Sequence, residues 1–98
     1  MRYHLFVLAA AKTLQKMRRN QAGWSIDQLQ SVAAENGVGW RTPGHGGSHV
    51  IFSVSGVREI VSVPAKRPIK PFYIRHFLAL IDNALEVKQD ENKNESKP

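Results

Sequence analysis

The apolar spacing of this chain changes period twice, and that constrains its fold more than any other feature. Ile26, Leu29, Val32 and Ala33 recur at helical spacing and stop before Gly37. Val50, Phe52 and Val54 then alternate with His49, Ile51 and Ser53, the two-residue period of a strand with one buried face. Ile74, Phe77, Leu78, Ile81 and Leu85 return to helical spacing. These segments must share one core, because 98 residues make a single domain. The 42% hydrophobic content is ordinary for a globular domain of that kind.

Local signals place the boundaries. A first helix is expected over residues 5–19, with Leu5, Leu8, Leu14 and Met17 apolar. Its last turn is basic, which complements the helix dipole, and Gln21-Ala22-Gly23 breaks it. Ser25 is a good N-cap for the next helix, with Gln28 at the capping-box position and Trp24 and Leu29 placed as a hydrophobic staple. Strands are expected at 38–41, 48–54 and 58–63, separated by the Gly- and Pro-rich turn at 42–47 and by Ser55-Gly56. Pro64 ends the third strand, since proline cannot donate to a ladder, and Pro71 suits the first turn of the closing helix. After Val87 the chain turns polar, which predicts a disordered tail.

The expected organisation is an N-terminal helical extension over 1–22, an α-β-β-β-α domain over 23–87 and a tail over 88–98. The fold class is α+β: a three-stranded antiparallel sheet with helices on one face, plus the extra N-terminal helix. The order α-β-β-β-α also matches that of the double-stranded-RNA-binding domain.

Composition narrows the chemistry. With no cysteine there is no disulfide framework, thiol nucleophile or thiolate metal site, which fits a reducing cytoplasm. The formal charge is +6, and its placement matters more than its size. Arg41, Arg58, Lys66, Arg67, Lys70 and Arg75 face only one acid, Glu59, over residues 41–75, and Lys12, Lys16, Arg18 and Arg19 form a second basic cluster. Concentrated positive charge favours a polyanionic partner through counterion release; the plainer reading is a solvated basic face. Residues 1–11 loosely imitate a short signal peptide, but the apolar run 5–11 is at the minimum length for one, is followed directly by Lys12, and is far too short for a membrane span. Asp27, Glu35 and Glu59 show no metal-ligand spacing, and Gly44-His45-Gly46-Gly47 lacks the lysine and context of a phosphate-binding loop. No metal, cofactor or membrane is expected.

Two constellations carry chemistry. His49 stands at the mouth of the second strand, on the face opposite Val50 and Phe52. An imidazole, with an ordinary pKa of about 6.5, can take a proton from a ribose 2′-OH, whose oxygen then attacks the adjacent phosphate. Gly47 and Ser48, just before it, offer backbone N–H groups and a hydroxyl to phosphate oxygens. The second constellation is Lys66, Arg67 and Lys70, expected to contact RNA and stiffened by Pro64, Pro68 and Pro71, which reduces the entropy lost when such a loop binds; the plainer reading is an ordinary strand–helix connection with solvated charges. His45 and His76 have no evident role, and Trp24 and Trp40 read as packing residues.

In order and wording these pieces resemble the HicA family, the mRNA-cleaving toxins of bacterial toxin–antitoxin pairs. Gly47-Ser48-His49 at the start of a strand, a strand ending in Val63-Pro64, a basic loop and a closing helix through Phe77 carry the resemblance, which spans roughly residues 12–85. It implies a double-stranded-RNA-binding-type fold, His49 as the catalytic residue of a metal-independent endoribonuclease, and a HicB-like antitoxin as partner in the cytoplasm. The family commonly has a histidine where this chain has Lys66, which removes a second imidazole and keeps a cation. A non-catalytic RNA-binding module of the same fold is the alternative. A DNA-binding regulator would have only Arg75 and His76 on the closing helix to read bases.

Overall fold

The computed structural model describes the backbone of residues 2–43, 48–66 and 68–95 and the side chains of 11–43, 48–66 and 68–88. The elements run α1 (Arg2–Arg19), α2 (Ile26–Glu35), β1 (Gly39–Arg41), β2 (His49–Ser53), β3 (Val61–Pro64) and α3 (Pro71–Glu95). The architecture is α+β, with one antiparallel sheet ordered β1-β2-β3.

Helix α2 starts and stops where local chemistry dictates. Gln28 Oε1 accepts the Ser25 N–H at 3.0 Å, closing a capping box. Past the other end, Gly37 adopts φ 73° and lets the Val38 N–H reach back to the Ala33 carbonyl at 2.9 Å. That bond turns Val38 into the core, where it is 2% exposed, so β1 begins one residue later than the alternation predicts.

Pairing across the sheet separates two faces. Trp40 sits opposite Phe52, Arg41 opposite Ile51, Val50 opposite Val63 and His49 opposite Pro64. Val50, Phe52, Val61 and Val63 are buried, and the Phe52 ring meets Phe77 of α3 edge-on at 5.0 Å. Ile74, Phe77 and Ile81 of α3 join Leu29, Val32 and Ala33 of α2 in that core. Burying each large side chain contributes about 1.5–3 kcal/mol, so this cluster holds helices and sheet together. Among the described residues no helix covers the opposite face, where Arg41, His49 and Ser62 are exposed.

The third strand is shorter than the predicted 58–63. Val57 N–H donates to the Val54 carbonyl at 3.2 Å, and Gly56 has φ 90°, which makes residues 54–57 a type II turn. Phe52 pairs with Val61, so 54–60 form the connection and the β2–β3 pairing begins only at Val61.

Both ends of the chain depart from expectation. Met17 has no exposed surface and lies in the common core, with Leu14 packed against it. Arg18 also holds Asp82 of α3 at 2.8 Å. The boundary drawn at residue 22 therefore falls between two helices that share one core. At the other end, α3 runs on to Glu95, where a disordered tail from residue 88 was expected. Lys, Gln and Glu are good helix formers, and extending an existing helix needs no new nucleus. Residues 96–98 of that tail lie outside the described residues. Among the described residues no helix is long and apolar enough to cross a membrane.

Candidate functional site

The two sequence constellations meet at one end of the sheet. His49 is the first residue of β2 and Pro64 the last of β3, and they face each other across the ladder. One step further, the Ala65 N–H donates to the Ser48 carbonyl, which ties the residue before His49 to the start of the basic loop. Ser48, His49 and Lys66 are all exposed. The His49 imidazole has no hydrogen-bond or charged partner among the described residues, so it is not a histidine fixed by the core.

The loop from Ala65 to Lys70 is strapped at its far end as well. The Ile69 N–H donates to the Trp24 carbonyl at 3.1 Å in an isolated β-bridge, and the Ile69 side chain is 2% exposed. The Lys70 carbonyl accepts the Tyr73 N–H at 3.0 Å and opens α3. Trp24 is itself fixed, its indole N–H donating to the Asn20 carbonyl at 2.7 Å while the ring packs on the core. Lys66 and Lys70 are thus carried on a backbone anchored at three points, with ammonium groups exposed and free of carboxylates among the described residues.

Arg41 is a residue that sequence reasoning counted as charge and gave no role. Its pairing with Ile51 puts it on the same face as His49, diagonally across one strand. Diagonal neighbours stand about 7–8 Å apart, within reach of a long side chain. Its alternation with Trp40, which packs toward Phe52 at 6.3 Å, was the available signal.

The basic cluster of α1 is differently placed. Arg18 is spent on Asp82, with both terminal guanidinium nitrogens donating to the carboxylate at 2.8 and 3.4 Å. His76 packs its ring on Phe72 at 4.4 Å and brings no imidazole into the His49–Pro64 pair that the structure records. Gly47 and Arg67, both expected to contact RNA, lie outside the described residues, as does His45. Among the described residues no three His, Cys, Asp or Glu side chains gather to hold a metal ion.

The arrangement can present a base, His49, to a polyanion held by Lys66, Lys70 and Arg41. No family model, curated protein or solved structure matches this chain.

Proposed function

We propose that this protein is an endoribonuclease that cleaves mRNA without a metal ion, with His49 as general base on the ribose 2′-OH. The observation that carries this reading is the exposed, unpartnered imidazole at the end of an open sheet face, across from Pro64 and beside an anchored cationic loop. In the proposed reaction His49 takes the 2′-OH proton, the oxygen attacks phosphorus and the 5′-oxygen leaves with a proton. Lys66, Lys70 and Arg41 offset the charge that builds on the phosphoryl oxygens. The sheet with helices on one face supports a double-stranded-RNA-binding-type fold for this domain.

The HicA resemblance adds the biological frame. A nuclease of this kind in the cytoplasm would act as the toxin of a toxin–antitoxin pair, held in check by a HicB-like antitoxin. The exposed cations around His49 suit an acidic inhibitor surface as well as RNA, and complementary charge speeds association.

A second reading has one observation in its favour. Among the described residues His49 makes no hydrogen bond or ion pair with a second imidazole or a carboxyl group, so protonation of the leaving oxygen falls to a lysine or water. A non-catalytic RNA-binding module would need no such group. Purified wild type and His49→Ala, each incubated with mRNA in EDTA, separate the two. Cleavage by wild type alone supports the nuclease, whereas binding without cleavage by either supports the module.

A further inference from the structure

A cleft of about 460 Å3 opens beside this site, lined by Pro64, Lys66, Pro68, Ile69, Lys70 and Tyr73. That volume falls within the range of small-ligand sites. Two proline rings, the Ile69 side chain and the Tyr73 ring make its walls largely apolar, with ammonium groups supplied by Lys66 and Lys70. The floor is set by the core: Ile69 is 2% exposed and Tyr73 packs against the buried cluster. Pro64, one wall of the cleft, is the cross-strand partner of His49 in the β2–β3 ladder.

A flat ring, apolar walls and two cations without carboxylates fit one ligand chemistry well: a nucleobase between its two phosphates. An acidic side chain would satisfy the lysines but leave the prolines and Tyr73 uncovered. We propose that this cleft is the subsite for the base next to the phosphate presented to His49. Tyr73 stacks on that base, and Lys66 and Lys70 hold the phosphates flanking it. The inference rests on the nuclease reading and gives it a substrate class, single-stranded RNA, since a base inside a duplex cannot offer its face to a side chain. Phe72, 54% exposed and 5.3 Å edge-on from Tyr73, continues the aromatic surface outward for a neighbouring base.

The test uses the full chain carrying His49→Ala, so that RNA stays intact. It is titrated with single-stranded RNAs of about eight nucleotides, each lacking one base, and the series is repeated with Tyr73→Leu and Tyr73→Phe added. Loss of one particular base should weaken binding roughly 5- to 100-fold, the range for one aromatic stack. That dependence should vanish with Tyr73→Leu and survive in Tyr73→Phe, which also controls for folding. Identical profiles in all three proteins would overturn the assignment. So would amide signals of Ile69 and Tyr73 that move with polyglutamate and not with RNA, which would give the cleft to an acidic protein segment. If wild type cuts none of these RNAs while the dependence on Tyr73 persists, the nuclease reading alone fails. If it cuts them without any such dependence, the subsite alone fails.

Discussion

His49 and Pro64 are cross-strand partners at the end of the β2–β3 ladder, and the proline has no N–H to give. The ladder is completed one residue later, by Ala65 donating to Ser48. A histidine 15 positions earlier in the chain is thereby held against the start of the cationic loop.

Replacing His49 with alanine should remove the activity and leave the fold. The side chain is exposed and unpartnered, so stability should change by less than about 0.5 kcal/mol. Loss of a general base should slow cleavage by roughly 10²–10⁴-fold. Induction of wild type should arrest growth and deplete mRNA; equal toxicity of His49→Ala at matched protein level would remove His49 from the mechanism.

The products report the chemistry. In the proposed mechanism, attack by the 2′-OH leaves a 2′,3′-cyclic phosphate or its hydrolysis product, and His49 would start it without a metal. Cleavage should continue in EDTA. A 3′-OH product, or strict dependence on Mg²⁺, would require a different nucleophile.

Removing the loop cations should change the salt dependence of binding. With Lys66, Arg67 and Lys70 all replaced by glutamine in the His49→Ala background, the slope of log K against log salt should fall by about 2, at about 0.7 per phosphate on a single strand. The same exchange at Lys12, Lys16 and Arg19 should leave the slope near its original value. The reverse pattern would place RNA along α1.

Helix α1 should prove integral to stability. Met17 has no exposed surface, and Met17→Ala should cost about 2–5 kcal/mol in chemical denaturation. Arg18→Ala breaks only an exposed ion pair and should cost about 1 kcal/mol or less. Comparable small losses for both would mean that α1 is an appendage.

A neutralising partner should cover His49. Co-expression with a HicB-like antitoxin should restore growth and give a stable complex on size exclusion, in which His49 resists diethyl pyrocarbonate. A complex that restores growth but leaves His49 reactive would exclude direct occlusion of the site.

Local chemistry was readable from sequence wherever a few neighbouring residues decide it. Ser25 with Gln28 marked the start of α2, Gly37 marked its end, and the alternation through Val50 and Phe52 marked the buried face of β2. Relationships between distant residues were not readable in the same way. The start of β3 depends on how 54–57 turn, and the polar composition of 88–95 hid the continuation of α3. The cleft needs Ile69 strapped to Trp24 before Tyr73 becomes its wall, and no spacing in the sequence announces that bond.

The two outer strands of the sheet are short, β1 with three residues and β3 with four, and β3 ends in proline. Exposed strand edges normally invite a further strand from another chain, and brevity and proline are among the features that prevent it. Copies of this protein therefore have little opportunity to zip together side by side, even at high concentration. On the proposed reading, a partner is then met by side chains on the open face and not by strand addition.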